Sequence, residues 1–205
     1  MDICLIRHGE TVFNREERMQ GARDIALSER GMREAVELGH RLVAEGIRPR
    51  HVYTSPVKRA WDTAERLGFD VPVIPAEGLR ARGLGTLEGL IRTEIREQFP
   101  GAMEGLIHWD WCPPGGQESL GDLYRRADAE LVHLIDRERE SGLVLAVTHS
   151  GVLEALVRGW LALEATQPLP FPLKNAGAIV FGDGPSGRHP KRVIAVGELD
   201  AVDYA

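Results

Sequence analysis

Two histidines and two arginines stand at places along the chain where they could act on a phosphoryl group. Arg7 and His8 adjoin one another, Arg59 lies in a Ser-Pro segment, and His149 follows a strong apolar run. Neutral imidazole is a good nucleophile towards phosphorus near neutral pH, and a guanidinium group pairs bidentately with phosphate oxygens. These four side chains therefore predict phosphoryl transfer, with His8 as the nucleophile.

The segments before these residues have the patterns of strands in an alternating α/β chain. Strands are predicted over residues 2–6, 51–54, 71–74, 143–147, 177–182 and 192–197, and helices over residues 28–45, 56–67, 118–141 and 151–163. This alternation predicts the α/β class, as a three-layer α/β/α sandwich with a mostly parallel central sheet. Ligands bind beyond the carboxyl ends of such strands, which is where His8, Arg59 and His149 fall.

The chain of 205 residues contains no repeat and no linker that would divide it. We therefore predict a single domain over residues 1–205. The stretch at about 79–117 is rich in glycine and proline and is predicted to be an insertion of loops and short helices over the active site.

Composition limits the partners that the protein is expected to have. The net charge of −6 argues against sequence-independent nucleic-acid binding, which needs a basic face. No apolar segment has the length of a membrane span, and the two cysteines are too far apart for a metal motif. We expect a cytoplasmic protein whose partner is a small molecule rather than a nucleic acid or a membrane. The oligomeric state stays open, with a homodimer as one option.

Five motifs in order resemble those of the histidine phosphatase superfamily, which has the phosphoglycerate-mutase-like fold. They are Leu5-Ile6-Arg7-His8-Gly9-Glu10-Thr11, Leu27-Ser28-Glu29-Arg30-Gly31, Ser55-Pro56-x-x-Arg59-Ala60-x-x-Thr63, Gly115-Gly116-Gln117-Glu118-Ser119 and Val147-Thr148-His149-Ser150-Gly151. The resemblance implies that His8 accepts the phosphoryl group and that Arg7, Arg59 and His149 bind it. It also implies a phosphate pocket without metal or organic cofactor, lined by Asn14, Gln20, Gly21, Ser150 and Gly151.

One position departs from the family pattern. Where the family usually has a glutamate that serves as general acid and base, this chain has Ala81. A missing general acid costs ~10²–10⁴ in rate. Three explanations stay open: another carboxylate (Glu77 or Glu88) substitutes, the substrate has a good leaving group, or the protein is catalytically weak. We assign Glu88 as the substitute, and we expect Arg82, beside the vacancy, to bind substrate.

The expected activity is that of a phosphomonoesterase that acts on small phosphorylated metabolites through a phosphohistidine intermediate. Phosphoglycerate mutase is the first alternative. The insertion looks short for such a mutase, and it lacks the paired arginines and the lysine that hold a substrate carboxylate, with only Arg92 and Arg96 nearby. A sensor of phosphorylated ligands that has lost its acid is the second alternative. The intact histidines and arginines weigh against it, because a binding protein does not need a nucleophile.

Overall fold

Strands and helices alternate along the chain, as the sequence predicts. The computed structural model describes residues 1–164, 166–184, 187–194 and 202–203. The strands are β1 (Asp2–Arg7), β2 (Val52–Thr54), β3 (Val73–Pro75), β4 (Leu143–Thr148), β5 (Ala178–Gly184), β6 (Gly187–Ile194) and β7 (Val202–Asp203). The helices are α1 (Val12–Arg15), α2 (Glu29–Ala44), α3 (Lys58–Arg66), α4 (Arg92–Gln98), α5 (Ala102–Gly105), α6 (Leu120–Arg137) and α7 (Ser150–Trp160).

The strands form one sheet in the order β3-β2-β4-β1-β5-β6-β7. Strands β3, β2, β4 and β1 are parallel neighbours, and β5, β6 and β7 extend the sheet through antiparallel pairs. Since β6 is antiparallel to β5, which is antiparallel to β1, five of the seven described strands (β3, β2, β4, β1 and β6) run in one direction. The prediction of a mostly parallel sheet is confirmed.

Strand β1 is buried on both faces, which explains its continuous apolar sequence. Its odd-numbered residues Ile3 and Leu5 pack into one apolar cluster with side chains of α6 and α7. Its even-numbered residues Cys4 and Ile6 pack into a second cluster with α2 and α3. Helices therefore cover both faces of the sheet, and the predicted three-layer α/β/α sandwich is confirmed.

The segment of residues 79–117 has a small apolar cluster of its own. The buried members are Leu84, Leu87, Ile95 and Ala102. Two of them lie on α4 and α5, and Leu87 ends a 3₁₀ turn that begins at Gly85. This cluster is separate from the two that enclose the sheet, whereas Leu79 and Trp109 of the same segment pack into one of those two.

Helix α3 begins later than the sequence predicts. The helix was predicted from Pro56, but it starts at Lys58 with Val57 in the cap position. The Ser55 hydroxyl oxygen accepts a hydrogen bond from the amide of Val57 at 3.3 Å and contacts His149. The Ser55 side chain thus contacts His149 and does not cap the helix.

The predicted strand over residues 192–197 coincides with only the last part of β6. This strand begins earlier, at Gly187, and its described part ends at Ile194. Residues 195–197 of the predicted strand lie outside the described residues, as do residues 185–186 of the turn that precedes it.

Candidate active site

The two histidines are neighbours because the strands that precede them are paired in register. Arg7, the last residue of β1, lies beside Thr148, the last residue of β4. The backbone amide of His8 donates to the Thr148 carbonyl oxygen at 3.0 Å. The rings of His8 and His149 are consequently 5.3 Å apart between centroids. The sheet itself therefore places both imidazoles at the carboxyl edge, as predicted.

The His8 imidazole is buried, and both of its ring nitrogens are engaged. Nδ1 lies 2.8 Å from the Gly9 carbonyl oxygen, which can only accept a hydrogen bond, so we assign the ring proton to Nδ1. Nε2 then carries the lone pair and accepts from Arg59 Nε at 3.2 Å. Burial, and then the charges of Arg59 and Arg7, hold the pKa of His8 well below its ordinary value. The ring is neutral near pH 7, as a nucleophile must be.

Arg59 is buried in the first turn of α3 and reaches across to the loop that follows β1. Its Nη1 and Nη2 donate to the carbonyl oxygens of Arg23 and Gly21, at 2.7 and 2.8 Å. Desolvation lowers its pKa to about 10, so it remains charged at neutral pH. Thr63, one turn later, accepts from the Gly9 amide at 3.0 Å and thereby joins α3 to the backbone beside His8.

His149 is the residue that precedes α7, and a serine from the end of β2 orients it. Its Nε2 lies 2.8 Å from Ser55 Oγ. Because Ser55 Oγ accepts from the Val57 amide, we assign the hydroxyl proton to the bond with Nε2 and the ring proton to Nδ1. Nδ1 is buried without a partner among the described residues. Burial, followed by the charge of Arg59, also holds the pKa of His149 well below its ordinary value.

The Arg7 side chain has one donor that is engaged and one that is unpartnered. Its Nη1 donates to the Leu173 carbonyl oxygen at 2.5 Å, while its Nε is buried without a partner among the described residues. Burial lowers the pKa of Arg7 to about 10, against the opposing effect of Glu34. Unpartnered buried donors on Arg7 and His149 are what an anion-binding site requires.

The loop after β1 is held by a network that centres on Asn14. The Asn14 side-chain oxygen accepts from the Thr11 amide and from Asn175 Nδ2, both at 3.1 Å. Asn175 also donates to the carbonyl oxygen of His8 at 3.1 Å. Gln20 accepts from the Thr11 hydroxyl at 2.9 Å. Asn14 and Gln20 therefore belong to the scaffold of this loop, and both also line the cavity described next.

A cavity of about 680 Å³ opens in front of these residues. Ten of the residues predicted for the site line it, namely Arg7, His8, Asn14, Gln20, Gly21, Arg59, Arg82, His149, Ser150 and Gly151. The remaining wall is mostly apolar and includes Phe13, Met19, Ala81, Leu84, Met103, Leu106, Ile107 and Leu120. The cavity is thus lined both by the charged and polar residues of the predicted site and by a set of apolar side chains.

Arg82 lines this cavity as predicted, but its nitrogens are already engaged. Nη1, Nη2 and Nε donate to the carbonyl oxygens of Leu106, Trp111 and Glu118, at 2.8, 2.7 and 3.3 Å. Burial lowers the pKa of this guanidinium. The expectation that Arg82 binds substrate is therefore not supported by its contacts, which connect the segment 79–117 to the start of α6.

Glu88 is the one predicted site residue that does not line the cavity. Its Oε1 accepts from the backbone amides of Ala22 and Leu84, at 2.9 and 3.0 Å, and its Oε2 lies 3.6 Å from Arg23. A carboxylate held by two amides joins two loops and does not face the substrate. The assignment of Glu88 as the substitute acid is accordingly a prediction that the geometry does not favour.

Sequence reasoning missed the roles of several neighbours. Ser55 entered the prediction only as part of a motif, and Asn175 carries no predicted role. Glu154, which also lines the cavity, was not considered at all. Its position one helical turn after Ser150 was the available signal, because residues four apart share a helix face.

Neither a metal centre nor a membrane span is found in the part of the chain that the structure describes. No group of three or more histidine, cysteine, aspartate or glutamate side chains is arranged to hold a metal ion there. Likewise, none of the described helices has both the length and the apolar character needed to cross a bilayer.

Comparison with known proteins gives the family. The family model of the histidine phosphatase superfamily (branch 1) matches residues 3–193. The metal-independent phosphoserine phosphatase of Arabidopsis thaliana is 38% identical over 160 residues, which are 76% of this chain and 66% of that protein. A 2,3-bisphosphoglycerate-dependent phosphoglycerate mutase of Parvibaculum lavamentivorans is 31% identical over 189 residues, 87% of this chain and 89% of that protein. A solved mycobacterial glucosyl-3-phosphoglycerate phosphatase superposes with a TM-score of 0.82 at 30% identity, over 92% of this chain and 96% of that one. This chain belongs to the histidine phosphatase superfamily, branch 1.

Proposed function

We propose that this protein is a phosphomonoesterase that moves the phosphoryl group of a small phosphorylated metabolite first to His8 and then to water. The observation that carries the proposal is the buried, neutral imidazole of His8. Its Nδ1 donates to the Gly9 carbonyl oxygen, its Nε2 accepts from Arg59, and the residue lines the cavity. This is the state in which imidazole attacks phosphorus.

The surrounding residues suit the charge of a phosphoryl group. In the free site, Arg59 Nε donates to His8 Nε2. An arriving phosphoryl oxygen would take over this donor, which frees the lone pair for attack as the substrate binds. The unpartnered Nε of Arg7 and Nδ1 of His149 supply two further donors. Together they would stabilise the charge that develops on the phosphoryl oxygens in the transition state.

The apolar side chains of the cavity would contact the leaving group and so select its kind. Residues Met103, Leu106 and Ile107 come from the segment 79–117, and they line the same cavity as the two histidines. We propose that this segment contacts the alcohol half of the substrate. Two of the relatives are named for small metabolites, phosphoserine and glucosyl-3-phosphoglycerate, which supports the same size class here. The cytoplasmic location and the homodimer stay predictions of the sequence.

Phosphoglycerate mutase remains the competing activity, because relatives of similar identity carry that name. A mutase must hold the carboxylate of its substrate. Arg92 lines the cavity but is exposed, and Arg82 donates to backbone carbonyl oxygens. Arg18, which also lines it, pairs with Glu16 and donates to the Gly89 carbonyl oxygen. We favour the phosphatase because a cluster of free cations for a carboxylate is not found among the described lining residues.

The proposal is tested with purified protein and a panel of phosphate monoesters. We expect release of inorganic phosphate, and an acid-labile phosphoryl group on His8 in rapidly quenched samples. His8→Asn should lower kcat/KM by at least about 10³-fold, while His40→Asn, on the outer surface of α2, should not. Interconversion of phosphoglycerates faster than phosphate release would identify a mutase. Binding of phosphate esters without turnover would identify a sensor.

A further inference from the structure

The site lacks a proton carrier at the place where its family usually has one. Ala81 lines the cavity, and its methyl group cannot exchange protons. Neither of the two carboxylates that the sequence suggested lies there. Glu88 is bound by backbone amides, and Glu77 is exposed and pairs with Arg80. Glu118 is engaged as well, because each of its two carboxylate oxygens accepts from a nitrogen of Arg126.

Only two carboxylates line the cavity among the residues that the structure describes, Glu17 and Glu154. Glu17 is exposed and lies just after α1. Glu154 lies on α7, the helix that begins directly after His149. Ser150 and Gly151 of this helix also line the cavity. Helical periodicity therefore brings Glu154 to the same face as the phosphate-binding end of the helix.

One oxygen of Glu154 is fixed and the other is free. Oε1 accepts from Nε and Nη2 of Arg158, at 3.1 and 3.0 Å. Arg158 is itself buried, and its Nη1 donates to the carbonyl oxygens of Glu164 and Gln167. The guanidinium thus holds the carboxylate in one orientation. Oε2 makes no hydrogen bond to any of the described residues.

The Glu154 carboxylate also acts electrostatically on Arg82, the neighbour of Ala81. Arg82 follows Ala81 in the chain, and Glu154 is among the carboxylates whose charge raises the pKa of Arg82 against the effect of burial. Glu154, Ala81 and Arg82 line the same cavity, so the Glu154 carboxylate belongs to the wall of the space that would hold the leaving group.

We propose that Glu154 is the catalytic residue that carries the proton in this enzyme, in place of the absent carboxylate at position 81. This inference rests on the proposed phosphatase activity. As the bond from His8 Nε2 to phosphorus forms and the ester P–O bond breaks, the carboxyl group of Glu154 gives its proton to the leaving alkoxide. In the second half, water attacks phosphorus, the N–P bond breaks, and the carboxylate takes a proton from that water. Glu154 is then ready for the next turnover.

The test compares two leaving groups in the variant Glu154→Gln. Glutamine retains an oxygen that accepts from Arg158, so the side chain keeps its position. An alkyl phosphate needs a proton on its leaving group, whereas p-nitrophenyl phosphate barely does. We expect kcat/KM to fall by about 10²–10⁴-fold for butyl phosphate and by less than about 10-fold for p-nitrophenyl phosphate. Because no base remains for the water, phosphohistidine should accumulate after a burst of p-nitrophenolate.

Glu17→Gln is the matched control, since it removes the other carboxylate of the cavity wall, and it should leave the ratio of the two kcat/KM values unchanged. In the double variant Glu154→Gln with Ala81→Glu, activity on butyl phosphate should return. Equal losses for both esters, no loss for either, or a selective loss in Glu17→Gln would overturn the inference. A wild-type protein that hydrolyses neither ester and is never phosphorylated would instead refute the proposed function.

Discussion

A substitution of Arg82 can distinguish a structural role of this residue from a role in substrate binding. Replacing it with methionine removes the donors from three carbonyl oxygens, at 2.7, 2.8 and 3.3 Å. Hydrogen bonds to charged groups contribute ~1.5–3 kcal/mol each. The third bond is long, and bonds that share one guanidinium do not add fully. We therefore expect Arg82→Met to lower the free energy of unfolding by about 3–5 kcal/mol.

The assay is urea unfolding followed by tryptophan fluorescence, with hydrogen exchange of the α5 amides as a local measure. Arg80→Met is the matched control. Its side chain is 54% exposed and makes one 3.4 Å ion pair with Glu77, so its effect should stay below about 0.5 kcal/mol. An Arg82→Met protein that unfolds like the wild type but has a strongly raised KM would refute this reasoning and restore the role in substrate binding.

Three further changes have defined outcomes. Because His8 is neutral when folded, the unfolded chain binds more protons below pH about 6.5, and stability falls as the pH drops. His8→Asn should therefore reduce the loss of unfolding free energy between pH 7.5 and 5.5 by about 1.4 kcal/mol, as measured by urea titrations. Gly21→Ala should cost about 2–4 kcal/mol in such titrations, because φ is +54° and the new Cβ would collide with the carboxylate of Glu88. Tyr53→Phe should cost ~1–3 kcal/mol at pH 7.5, since it removes the donor that buried Glu138 accepts at 2.8 Å; an unchanged urea midpoint would contradict this.

The central fold was predictable because it depends on local patterns. The apolar run at residues 143–147 predicts a strand that is buried on both faces, and it lies within β4. Ser28 was predicted to begin α2, and its hydroxyl accepts from the Gly31 amide at 3.0 Å. His8 and His149 follow such strands, so their meeting at one sheet edge needed only the topology of a parallel sheet.

The individual roles of charged residues were much harder to predict. The type of a residue gives its charge, whereas its partner is fixed by the tertiary fold. Arg82 donates to carbonyl oxygens 24, 29 and 36 residues away in the chain. Glu88 accepts from Ala22, which is 66 residues away. No local pattern around Arg82 or Glu88 indicates these contacts.

The separate apolar cluster of the segment 79–117 has a consequence for how this protein diverges. The side chains that we propose to hold the phosphoryl oxygens come from the ends of β1 and β4 and from α3, which are elements of the sandwich. Met103 and Leu106, which also line the cavity, pack against the apolar cluster of the segment 79–117. Because the two sets of contacts are separate, we expect substitutions of Met103 and Leu106 to change which alcohol is accepted while the reaction centre stays intact, and a gene library restricted to these two codons would test this.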